Sequence, residues 1–150
     1  MIEKLIVGLI GVVTGFLAGL FKSWLDSRLQ LDAETRKERW EVYKKLWNMM
    51  ATVPKWPRDE NLTYQQLIAF SGQCRDWYFT VGGFHLSRPS QKAYSAMQQT
   101  ITNAAKGRAG TDKVKDDEYE GVQEKCSALR TQLTLDLHSR QRGLLQLLGV

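Results

Sequence analysis

The chain has 150 residues, a formal net charge of +5 and two cysteines, Cys74 and Cys126. That length fits one domain with a modest core, and cysteines in helical patterns without CxxC or Cys/His spacing leave a disulfide framework and a zinc site without support. Mean hydropathy is −0.37 and a quarter of the residues are charged, so the chain as a whole is not hydrophobic and its apolar residues are concentrated at the N-terminus.

Residues 5–21, LIVGLIGVVTGFLAGLF, form an uncharged apolar run. As a helix it covers about 26 Å, and Ile2 to Lys4 with Lys22 extend it to the ~30 Å of a bilayer core. Residues 1–22 are therefore expected to be a single transmembrane anchor. A signal peptide fits less well: Met1 to Lys4 are weakly basic, and Leu17-Ala18-Gly19 is followed by Leu20 instead of a lipidated cysteine. Lys22, Arg28, Arg36, Lys37 and Arg39 follow the run, against Lys4 before it. This asymmetry predicts an inner-membrane, single-pass protein with its C-terminal domain in the cytoplasm. Trp24, Lys22 and Arg28 suit an interface with anionic head groups.

Gly11, Gly15 and Gly19 recur every fourth position, and Gly8 extends the strip. Glycines four apart share a helix face and let two backbones approach closely in lipid, where packing replaces the hydrophobic drive. A homo-oligomer joined through Gly8, Gly11, Gly15 and Gly19 is expected, its number not being encoded in the spacing.

From Lys22 to Ala51 there is no proline or glycine. Residues 23–39 contain DAETRKER, polar on every side, which reads as a solvated helical stalk. Trp40, Tyr43, Trp47 and Met50 then follow at 3-4-3 spacing, the pattern of a packed helix face. Pro54 and Pro57 end this helix near Val53 and make PKWPRDEN a loop.

A second helix is predicted from about Thr63 to Val81, with Leu67, Phe70, Cys74, Trp77, Tyr78 and Val81 inward and Gly82-Gly83 as its stop. Ser87 before Pro89 marks a third, about 89–106, burying Tyr94, Met97, Ile101 and Ala104. Lys106 to Gly110 reads as a flexible turn. A fourth begins near Asp116, whose acidic neighbours suit a helix N-terminus, with Tyr119, Val122, Cys126, Leu129, Leu133 and Leu137 on its face. The leucine-rich tail, RQRGLLQLLGV, either finishes that helix or makes a partner contact. No segment alternates with period two, so the expectation is an all-α fold: a transmembrane helix continuing into an antiparallel bundle of about four helices over residues 40–150.

Chemistry is sparse. His85 and His138 are far apart, and HExxH, Walker, GxSxG and paired-carboxylate signatures are missing, so neither an enzyme nor a cofactor is expected. Asp112, Asp116, Asp117, Glu118 and Glu120 lack the ligand alternation of an EF-hand and read as a solvated helix cap, not a metal site. One turn is richer. Arg75, Trp77, Tyr78, His85, Ser87, Arg88 and Lys92 combine cations and aromatics around a helix start that could hold a phosphate, with Trp77, Tyr78 or Phe84 stacking on a base. Residues 66–110 carry Arg75, Arg88, Lys92, Lys106 and Arg108 against Asp76 alone, which places positive charge around this turn. The alternative is an inter-helix turn whose aromatics belong to the core.

The run RDWYFTVGGFHLS, with LRTQL and LHSR later in the chain, resembles patterns in small uncharacterised bacterial proteins with one N-terminal span and a cytoplasmic helical domain. In layout the chain is also similar to small membrane effectors of anti-phage systems, CRISPR-associated ones among them. That similarity implies a cytoplasmic domain that binds a cyclic nucleotide and a span that perturbs the membrane. Two functions are thus carried forward. The first is an oligomerising membrane-anchored protein whose helical domain holds a protein partner; the second is a nucleotide-gated membrane effector of antiviral defence. Nucleic acid is not expected as a partner.

Overall fold

The computed structural model describes residues 19–24, 26 and 34–147, with side chains described as far as His138. The chain divides into two compact units, residues 1–38 and 39–150. In the first, residues 19–24 are helical, with Leu20, Phe21 and Trp24 exposed and the rings of Phe21 and Trp24 6.0 Å apart. Most of the apolar run, with Gly8, Gly11 and Gly15, lies outside the described residues. Gly19 lies within them, and a Cβ placed there meets nothing within 4 Å, so no described neighbour requires glycine at that position. Among the described residues no helix is long and apolar enough to cross a membrane.

The second unit is all-α, a helical bundle. Helix α1 takes residues 34–49, its part from Arg39 onward belonging to this unit, and ends in a 3-10 turn, Met50–Thr52. Helix α2 is Tyr64–Trp77, the short α3 is Gly83–His85, α4 is Arg88–Ala105 and α5 is Asp116–Leu147. No strand occurs among the described residues; Thr63 and Lys113 form an isolated antiparallel bridge.

The starts of α2 and α4 follow from local chemistry. Thr63 accepts from the Gln66 amide while the Gln66 side chain accepts from the Thr63 amide, a reciprocal capping box. Ser87 caps α4 by accepting from the Ser90 amide, and Pro89 sits in the first turn, where a missing donor costs nothing. The helices run antiparallel. Ser71 bonds Gln98 and Tyr94 packs on Trp77, while Arg130 meets Met50 and Asp136 approaches Tyr43. Between them Leu46, Met50, Leu67, Phe70, Met97, Ile101, Val122 and Leu129 form one core.

Three expectations require correction. The helix read as stopping at Gly82-Gly83 passes through both glycines as a π-turn, Tyr78–Gly82, and continues to His85. Both have right-handed helical dihedrals. Gly82 is needed for proximity instead, because a Cβ there would lie 2.4 Å from the Trp77 ring. Secondly, the segment 106–110 is no free turn. The Gln65 amide donates to Gly110 (2.8 Å), Tyr64 to Asp112 (3.1 Å) and Val114 to Leu62 (2.9 Å), so the two connecting loops pair at one end of the bundle. Gly107, at φ 71°, supplies the left-handed residue that this path needs.

The third correction concerns α1. Tyr43 and Met50 are buried as read, but Trp40 and Trp47 remain 54% and 44% exposed while Val42, Leu46 and Val53 take the core. At 3.6 residues per turn the tryptophans sit about 100° around the helix from the middle of that buried face.

Candidate functional site

The displaced tryptophans make one wall of a groove. Trp40, Tyr43 and Trp47 of α1 face Leu133 and Leu137 of α5 across an apolar cavity of about 310 Å³, with Lys44, Thr134 and His138 at its edges. Its α1 wall is held from below by Arg130. That guanidinium lies 5.5 Å from the Trp47 ring centroid and donates to the Met50 carbonyl at 2.8 Å, pairing cation with aromatic face and closing the C-terminal end of α1. Apolar walls with few polar edges suit an apolar guest.

Tyr43 joins the groove to a polar knot. Its hydroxyl donates to the His85 carbonyl at 2.6 Å and lies 3.2 Å from Asp136 Oδ2. Asp136 accepts from the Ser87 hydroxyl (2.7 Å), the Ser90 hydroxyl (2.7 Å) and the Ser87 amide (3.3 Å). Ser90 is fully buried. Burial, with the adjacent Asp136 charge, pushes the Tyr43 phenol far above its ordinary range, so it stays a neutral donor.

Asp136 thus occupies the place at the start of α4 that a bound anion would take, and supplies negative charge where the helix dipole favours it. The sequence-predicted residues fall accordingly. Ser87 is the α4 cap and bonds Asp136. His85 contributes its carbonyl to Tyr43. Trp77 is buried, its indole N–H donating to the Val42 carbonyl at 3.2 Å, and Tyr78 stacks on Tyr94 with centroids 4.9 Å apart. Both aromatics serve packing. Arg75 is exposed and lies 3.8 Å from the Asp76 carboxylate; Arg88 and Lys92 are exposed on the first turns of α4. Phe84 is 88% exposed and Phe79 75%. The turn is real, and the aromatics it offers to solvent are the phenylalanines.

At the opposite end Asp112, Asp116, Asp117 and Glu120 are exposed around the start of α5, in keeping with a solvated helix cap, and Glu118 and Asp116 also meet protein partners. Glu118 receives the Tyr64 hydroxyl and, at 2.8 Å, Arg108, and its side chain is 17% exposed. Burial opposes its ionisation, but those hydrogen bonds and the Arg108 charge outweigh it and hold the carboxyl below its ordinary value. Arg58 pairs with Asp116 at 2.5 Å and lies over Tyr119, whose hydroxyl donates to the Pro54 carbonyl. No cluster of metal-ligating side chains occurs among the described residues. Cys74 and Cys126 are free and buried, and burial pushes both thiols up to about 12, far from the range of a reactive cysteine.

Asp136 and the groove were missed by sequence reading. Leu133 and Leu137 were assigned to the inward face of the last helix, but no local signal pairs them with tryptophans ninety residues earlier. Comparisons of the chain with protein-family models, with curated proteins and with solved structures return no match.

Proposed function

We propose that this protein is a non-enzymatic, membrane-anchored oligomer whose cytoplasmic helical domain docks a protein partner, an amphipathic helix seated between α1 and α5. The observation that carries the reading is the groove: two half-exposed tryptophans opposite Leu133 and Leu137 in a predominantly apolar lining. About half of each ~250 Å² tryptophan surface remains to be covered, so complete burial of either is worth roughly 3 kcal/mol at ~25 cal/mol per Å². Two such anchors offset part of the cost of association and define a helix-in-groove contact of moderate strength. Lys44 and His138 at the edges favour a guest helix with acidic residues beside its apolar anchors. The anchor and the glycine stripe rest on the run 5–21.

The reading is tested by photo-crosslinking in membranes of the source cell, with a photoreactive phenylalanine analogue at position 47 and a control at exposed Asn103. A heterologous adduct formed from position 47, not from 103, and lost in Trp40→Glu supports it. An adduct of twice the chain mass assigns the groove to a second copy and overturns the partner reading, as does equal labelling at both positions.

A further inference from the structure

The α2–α4 turn exposes two phenylalanines that the core does not use. Phe84 and Phe79 are 88% and 75% exposed, a costly arrangement for a loop that is otherwise well ordered by Trp77, Tyr43 and Asp136. Phe79 lies in the π-turn, whose Gly83 amide reaches back five residues to the Tyr78 carbonyl, and Phe84 follows it in the short α3.

Cations surround the pair in sequence. Arg75 precedes Phe79 by four residues, and Arg88 and Lys92 follow Phe84 by four and eight; all three are exposed. Asp76 is the one acidic residue between 66 and 110. Trp56, 84% exposed, belongs instead to the far end of the bundle and is followed by Asp59 and Glu60.

The end of the bundle that carries this turn is also the end at which the chain enters the unit. Trp77 bonds the Val42 carbonyl and His85 bonds Tyr43, so the turn lies beside the first residues of α1 in the unit, which begins at Arg39. Residues 22–38 connect that point to the apolar run. We infer that Phe79 and Phe84, flanked by Arg75, Arg88 and Lys92, form a docking surface for an anionic lipid bilayer, the rings entering the boundary between head groups and acyl chains and the cations meeting lipid phosphates. The chemistry is that of interfacial anchoring, apolar side chains plus a basic collar. The inference rests on the proposed membrane anchor. Docking would fix the domain against the surface, where a bare tether would leave it free to tumble.

The test uses the full chain reconstituted into vesicles, with an environment-sensitive fluorophore attached through Phe84→Cys and, in a second protein, Asn103→Cys. Cys74 and Cys126 are fully buried and do not compete for the label. In vesicles containing phosphatidylglycerol, position 84 should show a blue-shifted emission and several-fold stronger quenching by doxyl lipids than position 103. Pure phosphatidylcholine should weaken the effect. Each cation at an anionic surface is worth roughly a fivefold change in partitioning, so Arg88→Glu with Lys92→Glu should lower the docked population ratio by ~25-fold or more. Equal quenching at 84 and 103, while the protein still floats with the vesicles, overturns the docking surface and leaves the anchor standing. Failure to float with vesicles of either composition overturns both.

Discussion

Replacing Asp136 by alanine tests the polar knot that joins α1, α4 and α5. The carboxylate accepts two short hydroxyl bonds, from Ser87 and Ser90, and a longer amide bond. Its removal leaves the fully buried Ser90 hydroxyl without that acceptor and takes a negative charge from the start of α4, which Ser87 still caps. Charge-assisted hydrogen bonds contribute about 1.5–3 kcal/mol and an abandoned buried hydroxyl costs about 1–3 kcal/mol, giving an expected loss of roughly 3–5 kcal/mol. At about 4 °C per kcal/mol for a unit of this size, the melting temperature should fall by roughly 12–20 °C. Asp136→Asn keeps one acceptor oxygen and should lose about 1–2 kcal/mol. Circular dichroism of the full chain in mild detergent gives both values, and amide exchange should accelerate first at the start of α4. Because the substitution vacates an anion position, inorganic phosphate should partly restore the melting temperature of Asp136→Ala and leave the native protein unchanged. A loss below about 1 kcal/mol for Asp136→Ala would refute the assigned role.

Thermal stability should be flat from about pH 6 to 8 and fall above pH 9. The thiols of Cys74 and Cys126 and the phenols of Tyr43 and Tyr94 have folded values raised chiefly by burial above their ordinary 9.0 and 10.0, so their contribution is complete below those unfolded values and is lost as pH rises through the folded ones. On the acid side Glu118, depressed from 4.5, contributes stability that is lost as pH falls below that value; a melting temperature that climbed above pH 9 would contradict this account. Gly82→Ala should cost about 1–3 kcal/mol through collision with Trp77, whereas Gly72→Ala, where a Cβ meets nothing within 4 Å, should stabilise α2 by ~0.5–1 kcal/mol; equal effects in denaturant melts would remove the packing argument. Native Cys74 and Cys126 should react with an aromatic disulfide reagent only as fast as the unit opens, and rapid labelling without denaturant would show that the thiols are not sealed.

Much of this architecture was legible because its signals are local. Thr63 with Gln66 and Ser87 with Pro89 announce helix starts within a few residues, and the inward positions of α2, α4 and α5 recur at helical spacing. The α1 face was misassigned because two neighbouring stripes are both apolar. Trp40, Tyr43, Trp47 and Met50 satisfy the period as well as Val42, Leu46 and Met50 do, and the choice is made by α2, whose Trp77 indole bonds the Val42 carbonyl. Propensity marked Gly82-Gly83 as a stop, while tertiary packing against Trp77 used the missing side chain to keep the helix going. Asp136 was invisible for a different reason. Nothing near residue 136 says that its carboxylate meets Ser87 and Ser90, so the turn looked open to an outside anion when the chain supplies its own.

In the proposed function the glycine-striped run assembles the protein and the α1–α5 groove receives a different chain. The most direct test is the mass of the full-length protein in detergent, measured beside Gly15→Leu and Trp40→Glu. The account predicts a defined oligomer for the native chain, a monomer for Gly15→Leu and an unchanged oligomer for Trp40→Glu. A native monomer, or an oligomer that Trp40→Glu dissociates while Gly15→Leu leaves it intact, would contradict it.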